Sequence, residues 1–312
     1  MKGRGVTNPT HRARRDANVG VERNSRRDVR RVARSALVWL AVLAMMLLFL
    51  GPVWWMVAAS FKPDDAIHAD VGRLGSFLPQ PFTVEHYVEA AGRGGVGTTM
   101  LNTVIVVAVI ALGGLLINAP AAYAFARMKF PGRDLLFLLL VATIIVPIEV
   151  IVIPLFLLVQ PTRGIAEVVG ERPWTLAALS IPFVAKAVNI FLLRQSFLAM
   201  PRSLEEAAFL DGASWWTVFW RVAIPNNIPA LVTVALLDFV THWNDFLWPL
   251  VVSQGEHTRT IQLGLGNFFT QPPISWGAIL AYAVIATIPM VIAFAVGQRW
   301  IVESLASTSV KE

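Results

Sequence analysis

The sequence predicts an all-α integral membrane protein with six transmembrane helices, both termini cytoplasmic, and a cytoplasmic helix-turn-helix loop between spans four and five. Three observations carry this expectation. Hydrophobic residues make up 56% of the 312 residues and charged residues only 15%, and the mean hydropathy is +0.62; soluble domains run at about 45–50% apolar and about 25% charged. The apolar residues fall in long runs, each of the length that crosses ~30 Å of hydrocarbon at about 1.5 Å per helical residue. Lys and Arg concentrate in alternate connections, as the positive-inside rule requires of a multi-pass chain. There is no cysteine, which excludes disulfides, thiolate metal sites and cysteine nucleophiles.

Residues 1–34 hold eleven Lys or Arg against three acids, and after Met1 no apolar side chain larger than valine. They read as a disordered basic cytoplasmic tail lying on anionic lipid. No aromatic residue is interleaved with the arginines, so the tail argues for membrane lipid as a partner and against nucleic acid. The six-helix domain follows over 35–303, with spans at about 35–59, 99–125, 134–159, 174–197, 227–252 and 277–302, and a short C-terminal tail at 304–312 is placed in the cytoplasm. Helices are the spanning solution because each backbone group must be paired within the segment. With the N-terminus inside, nineteen Lys or Arg fall on the cytoplasmic side and six outside, with Lys186 left within a span. This asymmetry explains the pI of 10.2 without a nucleic-acid partner. Trp39, Trp54, Trp55, Trp174, Trp248, Trp276 and Trp300 fall at span ends, where an aromatic belt is expected. The longest outside loop, 60–98, reads as a solvated connection; its Lys62, Asp64 and Asp65 are the residues that would touch an external protein.

Residues 201–225 are unusual for a turn between spans. Pro201 stops the fourth span, and Ser203 with Glu206 three residues on predicts a capping box that starts a new helix. Ala207 and Ala208 leave a small-residue surface, Gly212 interrupts the helix after Asp211, Ser214 is placed to cap a second short helix, and Pro225 opens the fifth span. Glu205, Glu206 and Asp211 beside the alanines suit a docking element for a cytoplasmic protein, whereas an interfacial amphipathic loop is the plain alternative.

The stretch EEAAFLDGASWWTVFWRVAIP resembles the EAA loop of binding-protein-dependent ABC importer permeases. Glu206, Ala207 and Ala208 match the triplet, Gly212 falls at the family's distance, and Val222, Ile224 and Pro225 occupy the closing positions with bulk preserved. PFTVEHYVEA, the run LNTVIVVAVIALGGLLINAPAAYAFARMKFPGR, WNDFLWPLV and QRWIVESLASTSVKE are similar to the carbohydrate-uptake branch, and within it to the six-span partner of a heterodimeric permease pair. The resemblance places the importer core at about 97–300. It implies a coupling helix that enters a cleft on a cytoplasmic ABC ATPase dimer, with Glu206 facing that surface and Gly212 permitting the turn. It also implies a second permease subunit and an extracellular or periplasmic solute-binding protein. The chain has no GxxxxGK[ST] phosphate loop. It is therefore expected to bind no cofactor and perform no catalysis itself, with ATP and magnesium held by the partner. The implied coupling residues are Glu205, Glu206, Ala207, Ala208, Asp211, Gly212 and Pro225, and the implied location is the cell membrane.

Ionisable groups inside spans are costly and mark functional positions. Asp238, His242 and Asp245 recur at i, i+4 and i+7 on one face of the fifth span, with Trp243 and Asn244 beside them. They are candidates for a translocation path or gate, where carboxylates would meet sugar hydroxyls and the indole would stack on a ring; an interface with the second permease is the alternative. No second histidine lies at ligand spacing, so His242 is not a metal ligand. Glu149, between Pro147 and Pro154, is a candidate intramembrane partner for Lys186. The competing functional class is an ion-coupled secondary carrier for a small polar solute, which would carry more intramembrane carboxylates and more spans with repeats.

Overall fold

The computed structural model describes residues 9–93, 95–270 and 272–309, and among these the regular structure is entirely helical. Three helices are long and apolar enough to cross a membrane as single pieces: Arg34–Ser60, Val96–Arg127 and Trp276–Trp300. Up to six spans result if each of three bent helix pairs counts as one.

The bends have local causes. The third run breaks by 104° between Arg133–Ile145 and Ile148–Val159. Val146 there is extended (φ −75°, ψ 115°), as a residue before proline must be, because the Pro147 ring clashes with a helical predecessor. The fourth run bends by 49° between Glu171–Phe183 and Ala187–Ala199, where Lys186 is extended (φ −126°, ψ 125°). The third bent pair is Trp215–Asn226 with Ile228–Trp243, at 76°; the 16-residue helix Ile228–Trp243 then ends at Asn244–Phe246 before the short helix Leu247–Val252.

Val96–Arg127 is the central pillar. It packs on Ala187–Ala199, Ile228–Trp243, Glu171–Ser180 and the short helix Ile261–Asn267. A third of its most apolar stretch is buried, against none for Arg34–Ser60. Its composition explains the difference. Ala119, Ala122 and Ala126 let Ile190, Leu193 and Phe197 approach closely and form one core cluster, since small residues allow tight helix packing where lipid supplies no hydrophobic drive. Buried Asn102 and Thr103 tie the other end to the connection after the fifth run: Asn102 donates to the carbonyls of His257 and Arg259 (2.8 and 2.9 Å), and Ile261 N donates to Thr103 Oγ1 (2.8 Å).

Several expectations need correction. The tail expected to lack regular structure is helical from Pro9, continuous with the first span as one helix to Ser60; extending an existing helix avoids the cost of nucleation, and Ala, Arg and Glu are good helix formers. The last helix likewise runs through Ser309, across most of the expected C-terminal tail. Residues 1–8 and 310–312 of these tails lie outside the described residues. Lys62, expected in a solvated loop, is buried; its Nζ donates to Asp70 Oδ2 (2.6 Å) and to the Gly75 carbonyl (2.7 Å). Asp64 accepts from Gly277 N (2.7 Å), capping the last span's first turn. Trp174 and Trp248 are buried in the bundle, donating to Thr162 Oγ1 and the Ala178 carbonyl, whereas Trp39, Trp54 and Trp276 remain exposed.

Candidate functional sites

The segment after the fourth run begins as the helix Arg202–Leu210 with Pro201 at its N-cap and no side-chain cap. The predicted capping box is therefore absent: Ser203 already lies inside the helix and cannot cap it. The helix ends in a Schellman closure. Gly212 N bonds to the Phe209 carbonyl (3.0 Å) and Ala213 N to the Ala208 carbonyl (3.0 Å), with Gly212 left-handed at φ +81°. No heavy atom lies within 4 Å of where a Cβ would stand at Gly212, so glycine is required there by backbone conformation and not by space. Ser214 caps the next helix, Trp215–Val218, accepting from Thr217 N (3.3 Å). A π-helical turn, Phe219–Ala223, follows. Phe219 is buried against Tyr123 and Phe197, with ring centroids at 5.2 and 6.4 Å.

Glu205 is the main departure. Expected on the exposed edge, it is buried; its Oε1 accepts from the Tyr123 hydroxyl (3.0 Å) and its Oε2 lies 3.0 Å from Arg127 Nε. That last contact has ion-pair distance but not the alignment of a hydrogen bond. Arg127 Nη2 donates to the Met200 carbonyl (2.6 Å). Starting the helix at Arg202 sets a register that turns Glu205 towards the second span. Glu206, Ala207, Asp211, Gly212 and Pro225 stay exposed, while Ala208 is half-buried. Leu210, unremarked in the sequence, is 89% exposed at the helix end.

A second site forms at the break of the fourth run. Asn118 of the pillar satisfies two backbone groups at the break: its Nδ2 donates to the Val184 carbonyl (2.9 Å) and its Oδ1 accepts from Lys186 N (3.1 Å). Irregular backbone at membrane depth needs such partners. Gly114 permits the approach, since a Cβ there would stand 3.3 Å from the Val184 carbonyl oxygen and 3.5 Å from Asp238 Oδ2. Lys186 Nζ then meets Asp238 Oδ1 (2.7 Å) and His242 Nε2 (3.0 Å), and Asn189 Nδ2 donates to Asp238 Oδ2 (2.7 Å).

The expected Glu149–Lys186 pair is thus replaced by Lys186–Asp238. The extended break carries the ammonium over the fifth helix, and Glu149 sits exposed in the first turn of Ile148–Val159, where the helix dipole favours an acid. Asp238 and His242 are buried. His242 and Asp245 line a cleft of about 510 Å³ together with Lys186, Thr143, Ile148 and Thr241. Asp245 Oδ1 also accepts from Trp248 N (3.4 Å). Trp243 does not join them: it is buried, stacked on Phe239 at 5.1 Å and donating to the Ala286 carbonyl, so it offers no face to a sugar ring. Exposed Asn244 bonds back to the Val240 carbonyl (2.8 Å) and lies off the cleft. Tyr123, Arg127, Asn118 and Asn189 were missed by sequence reasoning. The signal available was a phenol and two amides within otherwise apolar runs.

A membrane bundle with broken helices meeting at a polar cleft, and with a helix-turn-helix locked to one end, is the build of a transport permease. The chain belongs to the family of binding-protein-dependent transport system inner membrane components, whose model matches residues 114–302. Its relatives are ABC transporter permeases, sugar permeases among them. It is 32% identical over 274 residues to the probable ABC transporter permease protein YurM of Bacillus subtilis strain 168, covering 88% of each chain. It is 32% identical over 279 residues to the diacetylchitobiose uptake system permease protein DasC of Streptomyces coelicolor, covering 88% of this chain and 97% of the relative. It is 29% identical over 288 residues to the trehalose/maltose transport system permease protein MalG of Thermococcus litoralis, covering 90% and 98%. The fold matches a chain in the crystal structure of a bacterial ABC transporter involved in the import of the acidic polysaccharide alginate, at a TM-score of 0.69 and 23% identity, covering 95% of this chain and 99% of that one.

Proposed function

We propose that the chain is one half of the membrane channel of an ATP-driven importer for a sugar or related polyol. It crosses the membrane six times with both termini in the cytoplasm. Residues 201–225 dock on a cytoplasmic ABC ATPase dimer, a second permease subunit completes the channel, and an external binding protein delivers the solute. The chain itself binds no cofactor and catalyses no reaction; ATP and magnesium belong to the ATPase. The observation that carries this reading is the outer edge of the helix Arg202–Leu210. Glu206, Ala207, Leu210 and Asp211 are exposed on an element held to the bundle by buried Glu205 and Phe219. A fixed protrusion with small, apolar and acidic groups on its free side suits a protein cleft, and it can convey a rigid-body movement to the spans. The relatives named for diacetylchitobiose and for trehalose and maltose support the solute class. The cleft beside Lys186, His242 and Asp245 is the translocation path or its gate.

The test is uptake in inside-out and right-side-out membrane vesicles. Transport that follows ATP on the cytoplasmic side and ignores collapse of ion gradients is expected. Uptake driven by a proton or sodium gradient without ATP would establish the secondary-carrier reading instead.

A further inference from the structure

The buried contacts around Glu205 assign a role to two residues that lie outside the loop motif. We propose that Tyr123 and Arg127, in the last two turns of the second span, are positioning residues that clamp the coupling segment, so that its displacement is delivered to that span. This rests on the docking role of residues 201–225 proposed above.

The geometry argues for a clamp and not a casual surface pair. The Arg127 side chain is 4% exposed and that of Glu205 7%. Arg127 spans the junction: Nη2 holds the carbonyl of Met200, immediately before Pro201, and Nε faces the carboxylate of Glu205. One guanidinium therefore grips the segment on both sides of its first helical residue, Arg202. Tyr123, one turn earlier, donates to the same carboxylate and packs on Phe219 in the second half of the segment. Both limbs of the helix-turn-helix are thus fastened to one helix.

That helix runs unbroken from Val96 to Arg127 and also carries Asn118, which holds the backbone at the break of the fourth run. Asn118 and Arg127 are nine residues apart, about 14 Å along a helix. A push on the segment therefore reaches the backbone beside Lys186 through one continuous element. Truncating one partner of a buried pair leaves the other charge unmatched. Truncation at the clamp should loosen the link while leaving the exposed docking edge as it is.

The test uses the intact transporter purified through this chain and reconstituted in proteoliposomes, with solute moved per ATP hydrolysed as the readout. Arg127→Ala and Glu205→Gln are expected to lower that ratio at least ten-fold, with the ATPase still co-purifying and still hydrolysing within two-fold of wild type. Tyr123→Phe keeps the ring contacts and removes only the hydroxyl bond, so a two- to five-fold fall is expected, and it keeps the test alive if Arg127→Ala fails to insert. The exchanged pair Arg127→Glu with Glu205→Arg restores the ion pair but not the bond to the Met200 carbonyl, so it should recover part of the ratio lost in Arg127→Ala, which a purely structural loss would not predict. An unchanged ratio in Glu205→Gln and Tyr123→Phe, with the wild type coupled to ATP, overturns the clamp and leaves docking intact. If the wild type purifies without an ATPase and transports without ATP, the docking reading fails and the clamp falls with it.

Discussion

Among the described residues, two Lys or Arg ion pairs have a buried carboxylate, Lys186–Asp238 and Arg127–Glu205, and they are built differently. Lys186–Asp238 belongs to a closed network: both Asp238 oxygens are bonded, Lys186 also meets His242, and Asn118 satisfies the backbone beside it. Its members come from three separate runs, so it stitches the second, fourth and fifth together. Arg127–Glu205 joins one span to one connecting segment, and its guanidinium–carboxylate contact has the distance of an ion pair without the alignment of a hydrogen bond. It also lies within a few residues of exposed Arg202 and Ser203. If the first pair opens, its charges have only the membrane interior and the cleft to turn to; if the second opens, its charges lie close to water. Burial alone therefore does not rank the two. The first holds the bundle together, and the second suits a joint that carries load.

The largest expected effect breaks the first pair. Asp238→Ala leaves the Lys186 ammonium without its carboxylate, and removing one member of a buried pair costs about 3–5 kcal/mol. The detergent-solubilised protein should lose folded yield and melt earlier in a thermal size-exclusion assay. The double variant Lys186→Met with Asp238→Leu should regain much of that stability while transport stays impaired. Equal stability of Asp238→Ala and wild type would remove the contrast between the pairs. Next in size is Gly212→Val. A β-branched residue at φ +81° bears a left-handed penalty of about 1–2 kcal/mol, enough to undo the Schellman turn without touching the bundle. Insertion and yield should match wild type, and transport per ATP should fall about ten-fold. Retention of full coupled transport would count against a defined turn at this position.

How far the sequence foretold these sites differs between them. The loop was readable because its signals are local: a proline stop, a glycine where a left-handed turn falls, and a serine that does cap Trp215–Val218. The direction in which Glu205 points was not readable, because it depends on whether the helix starts at Arg202 or at Ser203, and one residue of register rotates the face by about 100°. In the membrane interior the costly residues were easy to find and their pairing was not. Glu149 was the partner expected for Lys186, whereas the extended backbone at Lys186 carries the ammonium to Asp238 of the fifth helix. Asp238 and His242 shared a helical face as expected. Trp243, one residue beyond His242, belongs to a different face and packs on Phe239, although adjacency in sequence had grouped it with the path. Polar residues that satisfy broken backbone, such as Asn118, leave no motif, since their partners lie far along the chain.

A smaller effect separates the docking edge from its mount. Leu210 is 89% exposed and holds nothing in this chain together, so Leu210→Ala should shift stability by less than about 0.5 kcal/mol, as surface substitutions do. If the exposed edge meets the ATPase, this variant should nevertheless weaken co-purification of that subunit two- to five-fold, measured as the stoichiometry after a wash at fixed detergent.

The smallest effect is expected at Ser214. Its hydroxyl accepts from Thr217 N at 3.3 Å and lies 3.0 Å from the Thr217 hydroxyl. Replacing an N-cap serine by alanine costs about 0.5–2 kcal/mol. The low end applies here, because the bond is long and the capped helix, Trp215–Val218, is only four residues. Phe219, immediately after it, is independently fixed by Tyr123 and Phe197. Ser214→Ala should therefore lower transport per ATP by less than two-fold and leave melting unchanged within error. A large loss would mean that the second limb of the segment is held by its cap and not by its aromatic anchor, and would move the holding contact from the span to the turn.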